Sequence, residues 1–201
     1  MLRIGITGGL GSGKTTAARF FGDRGALVFD ADVEAKLILQ HHVPTRQAVI
    51  EAFGKEVLNE KGEIDFERLA AQAFATPQRQ QRLNDIIHHE VIWVAKRELV
   101  TADQKGAAMF IVDAPLLFEA RLEQYLDYIL VLAADEELRV KRNVARGILT
   151  EEDIRNRMHL QLSDEERAAR ADFVIQNNGT LEELHEQLQE IYDSLPAQPV
   201  S

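Results

Sequence analysis

An α/β fold on a five-stranded parallel sheet is what the sequence predicts, on three observations. Five short apolar runs, Leu2 to Thr7, Ala26 to Phe29, Phe110 to Val112, Tyr128 to Leu132 and Phe173 to Ile175, are separated almost throughout by helical periodicity. The runs are continuous rather than alternating, as expected of strands covered on both faces by helices. The first ends in glycines, the second at Asp30-Ala31-Asp32 and the third at Asp113-Ala114-Pro115.

Taken in order, the first run leads into a glycine loop and then a helix, because Thr15 to Asp23 carries Ala17, Ala18, Phe20 and Phe21 at helical spacing before Gly25. From Val33 to Val100 there are helical segments and no convincing strand. In Pro77 to Val100, Leu83, Ile86, Ile87, Val91 and Val94 recur at three or four residues, and Trp93 with the stripe around it is expected in the core. A second insertion, about 136–170, is helical and rich in charge. The expected organisation is a single unit with a core of about 1–32, 105–134 and 171–194 and helical insertions at about 33–100 and 136–170. The end, Leu195-Pro196-Ala197-Gln198-Pro199, is expected to fray.

The 201 residues hold 23 Lys+Arg against 33 Asp+Glu, a formal charge of −10, so a bound polyanion must be met by a local positive site. General nucleic-acid packaging and anionic membranes are excluded on that ground, and no obligate protein partner is inferred. With 45% hydrophobic and 28% charged residues, wholly disordered, collagenous and coiled-coil readings fall away. The absence of cysteine excludes disulfides, thiolate catalysis and Cys-based metal sites. No run approaches the roughly 20 apolar residues that span a bilayer, and no signal segment is evident, so a cytoplasmic location is expected.

Gly8-Gly9-Leu10-Gly11-Ser12-Gly13-Lys14-Thr15 fits G-x-x-x-x-G-K-[ST] without mismatch, between a predicted strand and a predicted helix. Backbone N–H groups in such a loop turn inward around phosphate oxygens, and the following helix points its positive end at the same charge. Lys14 adds a point charge, and the Thr15 hydroxyl suits Mg²⁺.

The other strand ends supply the remaining candidates. Asp30 and Asp32 follow the second strand, where ligands gather in open α/β sheets. One of them can accept a hydroxyl proton while the other orients Mg²⁺ waters, or Asp32 is the N-cap of a helix beginning at Val33. Asp113 is either a Walker-B-like acid holding Mg²⁺ through water or a turn former before Pro115. Leu138 to Ile148 contains Arg139, Lys141, Arg142 and Arg146 and no acid. Arg142 and Arg146, four apart on one helical face, can fold over a triphosphate, or the stretch is a solvated face. His41-His42 and His88-His89 lack the i, i+4 spacing of a metal pair and read as surface or packing residues.

In combination, Ile6 to Thr15, Asp30-Ala31-Asp32, Ala114-Pro115-Leu116-Leu117-Phe118-Glu119 and Ala171-Asp172-Phe173-Val174-Ile175 with Asn177-Asn178-Gly179 closely resemble the dephospho-CoA kinase family, from about residue 3 to 190. The resemblance implies a P-loop kinase-like three-layer fold with a CoA-binding helical region and a helical lid. It implies ATP-dependent phosphorylation of the ribose 3′-hydroxyl of dephospho-CoA, the last step of coenzyme A synthesis. Asp32 then matches the family base, Lys14 and the lid arginines Arg142 and Arg146 complete the catalytic set, and Thr15 with Asp113 would serve Mg²⁺. Gly8, Gly9, Gly11, Ser12, Gly13, Lys14, Thr15, Thr16 and Asn177 would hold ATP. Phe53-Gly54, Gly62, Asp65, Leu69, Phe74 and His88 also match. Lys36, Phe66 and His89 depart from the family pattern in the acceptor region, with Arg68 the candidate substitute for the arginine usual at position 66. The rival readings are another small P-loop kinase, of a nucleoside monophosphate or a metabolite hydroxyl, and a nucleotide-dependent switch, which the lack of Asn-Lys-x-Asp disfavours.

Overall fold

The computed structural model describes residues 1–196; of the C-terminal segment expected to fray, Ala197, Gln198 and Pro199 lie outside the described residues. The chain divides into two compact units, one made of Met1–Asp30 and the chain from Glu98 onward, the other of Ala31–Arg97.

The first unit contains the sheet. Strands β1 (Leu2–Gly8), β2 (Leu27–Asp30), β3 (Met109–Asp113), β4 (Tyr128–Ala133) and β5 (Phe173–Gln176) lie in the order β2-β3-β1-β4-β5, every pairing parallel. The predicted α/β architecture and all five strands are present. Each carboxyl end runs one residue beyond the apolar run that predicts it, because ladder pairing includes polar ends such as Asp30 opposite Asp113.

On one face, Leu2, Ile4, Ile6, Met109, Ile111, Leu130, Leu132 and Ile175 pack against helices α1 (Lys14–Gly22) and α9 (Leu181–Ser194). Period-two alternation sends Phe110, Val112, Ile129 and Val131 to the other face, and they too are buried. At Gly5 the side chains of Leu117 and Leu126 fill the space a Cβ would take. Much of the Pro-Leu-Leu-Phe signature is therefore core, with Leu117 and Phe118 buried. Burial on both faces holds for β1, β3 and β4; the edge strands leave Leu27, Val28 and Val174 exposed because each has a neighbour on one side only. Leu195 does not fray: it is buried against the α1–α9 core.

Helices α6 (Glu136–Val144), α7 (Glu151–His159) and α8 (Asp164–Ala168) connect β4 to β5. Val140, Ile154 and Met158 form their own small core, with Leu10 of the glycine loop and Leu149 packed against it.

The second unit is helical: α2 (Ala31–His41), α3 (Val43–Phe53), α4 (Phe66–Ala73) and most of α5 (Pro77–Gln104). Asp65 caps α4, accepting from the Glu67 and Arg68 N–H groups at 3.1 Å. Arg68 returns to that carboxylate at 3.3 Å and donates to the Leu58 carbonyl. Trp93 is not core: it is 55% exposed. The buried stripe of α5 runs through Ile87, Val91 and Ala95, and two residues past Val91 is about 200° around a helix. Among the described residues, no helix is long and apolar enough to cross a membrane.

Candidate active site

The glycine loop leaves the carboxyl end of β1, the central strand, and enters α1 at Lys14, one residue earlier than the apolar spacing predicts. Gly13 stands at the N-cap with φ 107°, a conformation side chains rarely adopt, and a Cβ there would meet Asn177 Nδ2 at 2.4 Å. In the first turn of α1 the Thr16 and Ala17 N–H groups donate to the Gly13 carbonyl at 3.0 and 3.1 Å, and the positive end of the helix dipole behind the loop favours an anion. Lys14 Nζ donates to the Gly8 and Gly9 carbonyls at 3.0 and 3.3 Å, arched back over the loop. Ser12 Oγ is buried without a hydrogen-bond partner among the described residues. Such a cradle suits phosphate oxygens.

Asn177, one residue past β5, is buried; its Nδ2 donates to the Ser12 carbonyl at 2.7 Å and its own carbonyl accepts from Arg142 Nη1 at 3.0 Å. Loop, β5 end and Arg142 are thus joined by two hydrogen bonds. Arg146 lies beyond helix α6, which carries Arg142. The helix ends at Val144, residues 145–147 form a turn, and Gly147 with φ 70° stops the winding, so Arg146 lies past the helix and exposed.

Asp30 closes β2 and pairs in register with Asp113, which also pairs with Ile6 of β1. Asp113 is 6% exposed and Thr15 exposed. Asp32 is not an N-cap for a helix starting at Val33. Helix α2 begins at Ala31 directly after β2, leaving Asp32 in its first turn and exposed. Among the described residues no group of three or more potential metal ligands comes together. His42 Nδ1 instead pairs with Thr45 Oγ1 at 2.7 Å.

Four residues around the loop are absent from the candidate set. The Leu10 N–H donates to Gln161 Oε1 at 3.2 Å. Asn143 is buried, donating to the Arg139 carbonyl, and its amide nitrogen sits 2.2 Å from where a Gly11 Cβ would be. Arg139 lies on Gly9 and pairs with Asp164 at 3.9 Å. The i, i+4 spacing of Arg139 and Asn143 marks a shared helix face; Gln161 and Asp164 carry no sequence signal. Arg167, buried beside Asp164, has its pKa lowered by desolvation, against the pull of Glu119 and Asp164.

A parallel sheet in this order, with a glycine-rich phosphate loop after its central strand, defines a P-loop nucleotide-binding protein. The sequence model of the dephospho-CoA kinase family matches residues 2–183, and the chain belongs to that family. The dephospho-CoA kinase of Corynebacterium glutamicum is 41% identical over 185 residues, 92% of each chain. A Thermus thermophilus protein of solved structure shares 33% identity over 98% of each chain with a TM-score of 0.78. The dephospho-CoA kinase from Campylobacter jejuni, at 23% identity over 95% of each chain and a TM-score of 0.68, shares the fold.

Proposed function

We propose that the chain transfers the γ-phosphoryl group of ATP to the ribose 3′-hydroxyl of dephospho-CoA, releasing ADP and CoA. The observation that carries this reading is the phosphate loop, whose Ser12 hydroxyl has no partner among the described residues, in a chain of this family. Gly8, Gly9, Gly11, Ser12, Gly13, Lys14, Thr15 and Thr16 hold the phosphates, and Asn177 keeps the loop in shape through Ser12. In transfer, the acceptor oxygen bonds to the γ-phosphorus, the bond to the β–γ bridging oxygen breaks, and the hydroxyl proton passes to the Asp32 carboxylate. Because the transition state is loose, positioning and charge neutralisation supply most of the acceleration. Lys14 leaves the Gly8 and Gly9 carbonyls for phosphate oxygens. Arg142 and Arg146, in a lid of about 136–170, neutralise the charge and keep water out.

The hydroxyl of Thr15 and the carboxylate of Asp113 are hard oxygen donors of the kind Mg²⁺ takes while keeping several waters. When bound there, the ion would offset charge on the β- and γ-phosphoryl oxygens.

The helical stretch of about 33–100 receives the acceptor, a small molecule; nucleic acid and membrane play no part, and the enzyme works in the cytoplasm. A coupled assay for ADP release with dephospho-CoA, CMP, AMP, shikimate or no acceptor tests the reading. Release is expected with dephospho-CoA alone; equal release with another acceptor, or with none, would sink it.

A further inference from the structure

Two arginines near the phosphate loop, Arg167 buried and Arg139 with 12% of its side chain exposed, have more donors than acceptors. Arg139, on α6, lays its guanidinium where a side chain at Gly9 would stand: Nη1 is 2.0 Å and Cζ 3.1 Å from the ideal Cβ position, and Asp164 Oδ1 is 3.5 Å from it. Asp164, the first residue of α8, ties these pieces together. Its Oδ2 lies 3.9 Å from Arg139 Nη2 and accepts from the Ala134 N–H at 3.4 Å, while its Oδ1 accepts from Arg167 Nη1 at 3.4 Å. Arg167 is 1% exposed and also donates to the Leu162 carbonyl. Arg139 Nε, Arg167 Nε and Arg167 Nη2 are buried with no hydrogen-bond partner among the described residues.

Two guanidiniums therefore share the half-buried carboxylate of Asp164. Exposed Glu119 attracts Arg167 through space more than Asp164 does, but it reaches only that arginine; Asp135, Glu136, Glu165 and Glu166 are exposed and screened by water. An unmatched buried guanidinium opposes folding, and the two arginines repel each other. Stability alone gives no reason to keep both. The surplus charge does have a use at its location, because a positive group in a low-dielectric setting against Gly9 favours an anion in the loop.

We propose that Arg139 and Arg167, held by Asp164, are positioning residues that brace the phosphate loop and supply it with positive potential, without themselves touching the nucleotide, and that Asp164 limits this potential by cancelling one of the two charges. The proposal rests on the reading that ATP binds this loop.

The two possible roles of the cluster differ in sign. If it is packing only, Arg139→Gln and Asp164→Asn harm nucleotide binding alike. If it works through charge, Arg139→Gln raises the Kd and KM for MgATP on the order of tenfold with the dephospho-CoA KM unmoved. Arg139→Lys should then restore at least half of the lost affinity. Asp164→Asn, which raises the net charge of the cluster, should bind MgATP more tightly than the parent enzyme even as its Tm falls. Calorimetric titration of MgATP, steady-state kinetics and melting curves read these quantities. An Arg139→Gln enzyme that binds MgATP as the parent does, or an Asp164→Asn enzyme that binds it more weakly, overturns the proposal. Should Arg139→Gln fail to fold, the sign of the Asp164→Asn effect decides. A parent enzyme that binds no MgATP would overturn the proposed function itself, and this inference with it.

Discussion

Asn177 and Asp32 illustrate how differently single residues serve this chain. Asn177 is 6% exposed, and its amide bridges the Ser12 carbonyl to the end of β5. Replacing it with alanine leaves that buried carbonyl unpaired, an expected loss of about 1–3 kcal/mol in unfolding free energy. MgATP affinity should fall with it, since the loop loses a strut; urea titration and calorimetry check the two effects. Asp32 is exposed in the first turn of α2, so Asp32→Asn, which keeps the size and shape of the side chain, should leave stability and ATP affinity nearly unchanged. Turnover should drop roughly 10²- to 10⁴-fold through loss of general-base catalysis. An Asp32→Asn enzyme keeping more than half its turnover would remove Asp32 from the mechanism. Lys14, Thr15 and the glycines were legible from sequence because their spacing is local and the chemistry demands it. Asn177 was legible only through resemblance. Gln161 and Asp164 were not legible at all, because they meet the loop from some 150 residues away, as in the bond between Leu10 and Gln161.

At the level of elements, each of the five strands was readable because burial on both faces, or on the inner face of an edge strand, writes a continuous apolar run. Helix limits were less so. Helix α2 starts two residues before the expected Val33, since Ala31 passes straight from ladder to helix. Trp93 misled because an apolar residue inside an apolar helix can still lie opposite its buried stripe. Trp93→Ala should therefore shift unfolding free energy by no more than about 0.5–1 kcal/mol, a surface effect rather than the cost of emptying a core. The small core of α6 and α7 leads to the opposite expectation. Ile154 is fully buried against Val140 and Met158, and Ile154→Ala should cost about 2–5 kcal/mol. That loss should be local: hydrogen exchange should quicken through residues 136–168 while β1, β3 and β4 keep their protection. Uniform loss of protection across the sheet would mean that these helices do not open separately.

Across the whole molecule, the two units should respond to acid at different pH values. His88, in the helical unit, has its pKa lowered below 6.5 by burial, against the opposing pull of Asp85. Below about pH 6.5 the unfolded chain takes up a proton that the folded chain refuses, so stability declines from there down to the folded pKa and is unaffected above. Asp127, in the sheet unit, accepts from the Arg3 N–H and Nε at 2.9 and 3.0 Å, and the Arg3 hydrogen bond holds its pKa below 3.8. Its contribution is fully present above the ordinary carboxylate value and is lost as pH falls through the folded one. Acid should thus weaken the chain in two stages. The first should appear in the fluorescence of Trp93, the single tryptophan and a residue of the helical unit; the second should appear in the far-UV signal of the sheet. Urea titrations between about pH 3 and 8 resolve the two stages. His88→Gln should flatten the first and leave the second, and Asp127→Asn should do the reverse. Loss of both stages in either variant would show that one cooperative transition, rather than two separately titrating units, governs acid unfolding.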